Sequence, residues 1–160
     1  KMIIQVSFIT MWISDSCQDF WGGGPVTTDE NVVTLYIPEE QEWKMADIKT
    51  DMSNIMLNGC KIENGTVQSN SGDIYFKNCD FDNLKIDSDM GYIHFIGTED
   101  VMGAWNIQID TDMGNIDVDD ALGGKVKEDE DDCDLSYTQK GKGGKLVIQT
   151  DSGDVSLKCR

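Results

Sequence analysis

The chain has little of what marks a catalyst or a nucleic-acid binder. Of its 160 residues, 13 are Lys or Arg against 30 Asp or Glu, for a formal net charge of −17, and Arg160 is the only arginine. Affinity for DNA or RNA comes mainly from cations that neutralise phosphates. The balance therefore excludes a nucleic-acid partner, and it argues equally against an anionic membrane surface. The five cysteines, Cys17, Cys60, Cys79, Cys133 and Cys159, include no Cys-x-x-Cys pair, which removes zinc ribbons and thioredoxin-type motifs. The longest apolar run, Met2 to Ile13, is interrupted by Gln5, Ser7 and Thr10 and falls short of the ~20 residues a membrane-spanning helix needs. Direct membrane insertion is not expected. The glycine clusters at Gly22 and Gly141 lack the spacing of a phosphate-binding loop.

Hydrophobic residues make up 39% of the chain, low for a globular protein yet above the disordered range. The length suits one domain with its own core. Sixteen glycines against two prolines point to many tight turns. Lys1 is not a native start, so the absence of a leader here says nothing about the compartment. The sequence around Cys17 fits a lipoprotein cleavage site poorly, because Ser14 and Asp15 are polar.

What is present is a repeat. "DTDMGNIDV" at 110–118 recurs as "DSDMGYIHF" at 87–95, "QSNSGDIYF" at 68–76, "QTDSGDVSL" at 149–157 and "KTDMSNIML" at 49–57. Aligned on their turns, the units place Ile48, Val67, Ile86, Ile109 and Ile148 in one column before the turn, each preceded by a spacer residue. After it come Ile55, Ile74, Ile93, Ile116 and Val155, and then Leu57, Phe76, Phe95, Val118 and Leu157. Alternation on both sides of a turn predicts two short strands, each with one buried face. Gly72, Gly91, Gly114 and Gly153 supply the turn or a close backbone approach, and Ser53 stands in their place in the first unit.

The column advances by 19, 19 and 23 residues from Ile48 to Ile109, and then by 39 to Ile148. A period near ~20 with one turn and two strands predicts an all-β, single-domain β-solenoid, parallel and β-helix-like, each coil stacked on the last. Coils of ~19–20 residues would bring like residues about 4.8 Å apart. The organisation expected is an N-terminal strand and capping loop over 1–30, then solenoid repeats over 31–160 with an acidic outward excursion at 126–145, read as an irregular hairpin. "KMIIQVSFITMWI" reads as one strand and "NVVTLYIP" as another, with Phe20 and Trp21 placed to cap the open end.

Candidate site residues are few. Thr50, Ser69, Ser88, Thr111 and Thr150 form a hydroxyl column with inward parity, read as a buried hydrogen-bond ladder rather than an ice-binding face. Cys60 and Cys79 hold equivalent repeat positions and should be neighbours, either as stacked thiols or as a disulfide. Calcium is the one cofactor with candidates: the turn residues Asp51, Asp89, Asp112 and Asp151, and Glu128, Asp129, Glu130 and Asp131 in "EDEDDCD". Neither group has a calcium-loop spacing, so the second is read as a solvated acidic tip and no cofactor is assigned. His94, the only histidine, lies between inward Ile93 and Phe95 and should face solvent, with Met56, Tyr75, Asp117 and Ser156 as its equivalents. No catalytic set converges.

"VTLYIP", the repeated "IxTDxGxIxV" units and the closing "IQTDSGDVSL" together resemble a bacterial β-strand-repeat family of unknown function whose members carry an adhesin label. The resemblance covers about Val32 to Lys158. It implies a β-solenoid fold, a place at the cell surface or envelope, and no catalytic residues. The expected function is a non-catalytic, extracytoplasmic, adhesion-type module that presents its surface to a protein or glycan. The alternative is a structural or signalling module of an envelope-stress system that binds a protein of the same cell. A polysaccharide-active enzyme stands third.

Overall fold

The computed structural model describes residues 2–6, 9–14, 42–129 and 134–160, the first two stretches as backbone alone. The chain is all-β, two facing sheets with one apolar core between them. "VTLYIP", Phe20, Trp21, Cys17, Cys133, Glu130 and Asp131 lie outside the described residues.

The N-terminal stretch expected as one strand is two, β1 (Met2–Val6) and β2 (Ile9–Ser14), paired antiparallel. β3 (Glu42–Trp43) and β4 (Met45–Thr50) follow, and β2 pairs antiparallel with β4 in the same sheet. Each repeat then contributes a strand to each sheet. β5 (Ile55–Asn58), β7 (Ile74–Lys77) and β9 (Tyr92–Gly97) belong to the second sheet; β6 (Lys61–Ser71) and β8 (Asp80–Met90) belong to the first. Alternation is why they sit so: in β4, Ala46, Ile48 and Thr50 are buried while Met45 and Lys49 are exposed. In the long strands the alternation slips once. Glu63 and Asn64, like Asp82 and Asn83, are consecutive exposed residues, and there the chain turns a corner.

The four extra residues between the third and fourth units are α1 (Glu99–Met102), which carries Met102 into the core. β10 (Asn106–Thr111), β11 (Ile116–Val118), β12 (Lys125–Glu128), β13 (Leu135–Gln139), β14 (Lys145–Thr150) and β15 (Asp154–Cys159) complete the chain.

The column before the turn is buried, with Ile48 and Val67 1% exposed and Ile86, Ile109 and Ile148 0%; the two columns after it are buried except in the fourth unit, where Ile116 and Val118 are half-buried. Each such side chain contributes roughly 1.5–3 kcal/mol relative to exposure. Phe76 stacks on Phe95 with centroids 4.6 Å apart, and Phe81 stacks on Trp105 at 4.3 Å. At the turns, Gly72 and Gly91 take φ of 148° and 125°. A Cβ at Gly91 would meet the carbonyl of Gly72, one at Gly153 that of Gly91, and one at Gly114 that of Gly153. The turns stack backbone on backbone, and a side chain has no room there.

Those contacts also reveal an order the sequence period did not. The first sheet runs β1-β2-β4-β6-β8-β14-β10-β13-β12, with β3 beside β6, and the second runs β11-β15-β9-β7-β5. The last repeat is therefore inserted between the third and fourth: β14 pairs in parallel with β8 on one side and β10 on the other, bringing Ile86, Ile148 and Ile109 into one row. Stacking of each unit on its predecessor holds for the first three units and fails for the fourth, which is separated from the third by the fifth. The first sheet is also mixed, antiparallel at both flanks.

The 126–145 excursion, expected to project outward, instead continues the sheet. β12 and β13 form an antiparallel hairpin, and β13 pairs with the outer edge of β10. Tyr137 and Gln139 are buried there; Tyr137 Oη donates to Gln139 Oε1 at 2.9 Å, and Gln139 Nε2 donates to the Met102 and Trp105 carbonyls at 2.9 and 3.1 Å. Exposed strand edges invite pairing, and the hairpin gives β10 a partner. Glycines let the chain re-enter between two units: a Cβ at Gly141 would strike the Ala104 carbonyl, and one at Gly144 that of Phe81.

Candidate binding surface

The hydroxyl column faces inward. Thr50, Ser69, Ser88, Thr111 and Thr150 are all at most 5% exposed. The Gly153 and Ser53 amides donate to Thr150 Oγ1 and Thr50 Oγ1 at 2.9 and 3.1 Å, and Thr111 Oγ1 donates to the Gly153 carbonyl at 3.3 Å. These side chains tie off the turns, although Ser69 Oγ has no partner.

The turn residues Asp51, Asp89, Asp112 and Asp151 are exposed. Asn70 Nδ2 donates to Asp51 Oδ1 at 3.3 Å. Glu128 and Asp129 border a hollow of about 350 Å³ that also takes in Asp110, Asp112 and Asp134, with Lys127 among them. Among the described residues, no three His, Cys, Asp or Glu are grouped to hold a metal ion. The structure thus brings Asp112 from the turn set beside Glu128 and Asp129 from the acidic tip, and leaves Asp51 away from that hollow.

On the outer face of the second sheet, cross-strand register sets Met56, Tyr75, His94, Ser156 and Asp117 in a row. His94 is half-buried rather than free in solvent: Tyr92 stacks on it at 5.5 Å and Tyr75 meets it edge-on at 6.2 Å. Burial, then the nearby Arg160 and Lys158 charges, hold its pKa below the ordinary histidine value, while Asp117 opposes them weakly. Asp117 is engaged, accepting from Lys158 Nζ at 2.6 Å, and Tyr75 Oη donates to Asp73 Oδ2 at 3.1 Å. His94 Nδ1 and Ser156 Oγ are buried and unpartnered. Serine stands between histidine and aspartate, and the aspartate is paired elsewhere. A nucleophilic triad needs the histidine in the middle.

The outer face of the first sheet holds the more open feature, a groove of about 530 Å³ across β4, β6, β8 and β14. Its floor is the spacer residue of four of the five repeats: Asp47, Thr66, Lys85 and Val147 are successive register partners, and Asn64, Asn83 and Lys145 form the row beside them. Asn83 Nδ2 donates to Asn64 Oδ1 at 3.1 Å. Between the two rows run the backbones of Ala46, Gly65 and Leu84, whose parity is inward: Ala46 and Leu84 are buried in the core, and a Cβ at Gly65 would meet the Leu84 side chain there. Asp47 Oδ1 is buried with no partner, an arrangement that native structures seldom leave unexplained. Lys85 and Lys145 put two ammonium groups in one groove of a strongly acidic chain. Sequence reasoning passed over this column as a spacer; its outward parity was the available signal.

Cys60 and Cys79 are neighbours and both are free thiols, as is Cys159. Among the described residues, no helix is long and apolar enough to cross a membrane.

Fold and surface together define an all-β strand-repeat protein. The model of the Toastrack DUF4097 family, a domain of unknown function, matches residues 9–160, and the chain belongs to that family. No curated protein and no solved structure matches the chain.

Proposed function

We propose that the protein is a non-catalytic binding module whose first sheet receives an acidic glycan. The observation that carries this reading is the polar groove, with Asp47, Asn64, Thr66, Asn83, Lys85 and Lys145 aligned from four repeats over about 530 Å³. Its size suits a ligand pocket of ~300–1,000 Å³. Amides, a hydroxyl and an unpartnered carboxylate oxygen match sugar hydroxyls, and the two ammonium groups select for carboxylates on the chain of sugars. In this reading the parallel core is a short β-solenoid with its last coil inserted out of turn, a scaffold that repeats one row of contacts along an extended ligand. An adhesion-type role outside the cytoplasm, at the surface or envelope, follows from such a ligand.

Calorimetric titration with polygalacturonate, hyaluronate and neutral dextran tests the reading. Binding of an acidic polymer, weakened at least tenfold in the Lys85→Ala/Lys145→Ala variant and absent for dextran, is expected. Equal heats for the variant and the parent chain, or none for any polymer, would overturn it in favour of a protein partner. Protease digestion on intact source cells addresses the location, and protection until lysis would remove the surface placement.

A further inference from the structure

Cys60 and Cys79 share a corner built twice. Gly59 and Asn78 are each left-handed, with φ of 65° and 52°, and Asn78 is the only non-glycine residue with positive φ among those described. Each sets the following cysteine at the entrance of a long strand, β6 or β8, whose first residues Lys61 and Asp80 are register partners. The Asp80 amide donates to the Cys60 carbonyl at 2.9 Å, so the two corners are locked side by side. Paired strands stand about 4.8 Å apart, within the roughly 4.4–6.8 Å between Cα atoms that a disulfide spans.

The two thiols are not alike. Cys79 is 5% exposed, its Sγ directed at the Lys77 and Leu57 carbonyls at 3.4 and 3.5 Å. Cys60 is only partly buried, with its Sγ 3.6 Å from the Asn58 carbonyl. The neighbouring Cys79 thiol, more than the opposing desolvation, draws the Cys60 pKa down to about 7, while Cys60 and burial push Cys79 up. The next coil carries Thr98 at this position, so the arrangement stops at two.

We propose that Cys60 and Cys79 are a thiol–disulfide exchange site, with Cys60 the attacking sulfur and Cys79 the resolving one. The Cys60 thiolate attacks one sulfur of a small disulfide, RSSR, forms a mixed disulfide and expels RS⁻. The Cys79 sulfur, giving up its proton, then attacks Cys60 Sγ and expels the second RS⁻. Two protein thiols are oxidised, one RSSR is reduced to two RSH, and adjacent coils become covalently joined. Because β6 and β8 also floor the polar groove, closure fixes two of its four strands relative to each other.

The test treats the full chain with oxidised glutathione and maps linkages by peptide mass spectrometry. A Cys60–Cys79 bond is expected, with a rise in Tm of roughly 6–12 °C from tying a short loop. Cys79→Ser should accumulate glutathione on Cys60, and Cys60→Ser should leave Cys79 unmodified. Glutathione on Cys79 but not Cys60, or bonds formed only by other cysteines in the parent chain, would overturn the proposal. The parent-chain map does not depend on either variant folding.

Discussion

His94 lies on the outer face of the second sheet, under Tyr92 and against Tyr75, with Arg160 and Lys158 close enough to repel a proton. Its folded pKa is depressed, by burial first and by those charges second. The unfolded chain binds a proton near the ordinary value of ~6.5. Below that pH the unfolded state holds more protons than the folded one, so stability present above it is lost as pH falls toward the folded pKa. Urea midpoints at pH 7.5 and 5.5 should therefore drop further for the parent chain than for His94→Gln. An equal or smaller drop in the parent would mean that the ring is freely protonated in the fold. The outward parity of His94 was legible in "IHF". Its partial burial was not, because the rings that cover it come from its own strand and from the preceding repeat, and no local pattern records how two tyrosines lean.

At the scale of elements, the two strands per repeat, their turns and their inward columns are readable because a period of two exposes which face each residue takes. The spatial order of the repeats is not readable in the same way. Equivalent units present equivalent edges, so the row of Ile86, Ile148 and Ile109 satisfies the same pairing rules as serial stacking would. The choice is made by chain length and clearance. The 39 residues from Ile109 to Ile148 are enough for the β12–β13 hairpin to pair with the outer edge of β10 and for the chain to return on its other side. At Gly141 and Gly144 the backbone passes so close to the Ala104 and Phe81 carbonyls that no side chain fits. Gly144→Ala should thus cost about 1–3 kcal/mol through overpacking against the Phe81 carbonyl. Gly123→Ala, with nothing within 4 Å of its Cβ, should be neutral or slightly stabilising. Chemical denaturation of both variants reads the difference, and equal stabilities would show that the re-entry is not tight. The groove escaped the sequence reading for a related reason: Asp47, Thr66 and Lys85 share no chemistry, and only pairing in register makes them one surface.

For the molecule as a whole, a charge of −17 on 160 residues is repulsive in the folded state, and the stacking concentrates it. Asp151 sits between Asp89 and Asp112 at the turns: the Ser152 amide bonds the Asp89 carbonyl at 2.9 Å and the Met113 amide bonds the Asp151 carbonyl at 2.8 Å. Three exposed carboxylates thereby occupy consecutive coils about 4.8 Å apart. Among the described residues, ion pairs that offset this are exposed: Lys61–Glu42 at 2.9 Å, Lys158–Asp117 at 2.6 Å and Lys85–Asp87 at 3.8 Å. Pairs of that kind contribute little, with a median of ~0–1 kcal/mol each. Raising ionic strength from 10 to 150 mM shortens the screening length from about 30 to about 8 Å. Screening weakens repulsion and attraction alike, and repulsion is the larger sum here, so Tm should rise with sodium chloride over that range. A fall would mean that the ion pairs dominate and that the turn column is not under stress. Calcium chloride matched for ionic strength should raise Tm no further than sodium chloride, because the turn carboxylates stand in a line rather than converging on a point. A larger rise with calcium, lost in Asp151→Asn, would turn the column from an electrostatic strain into a cation site.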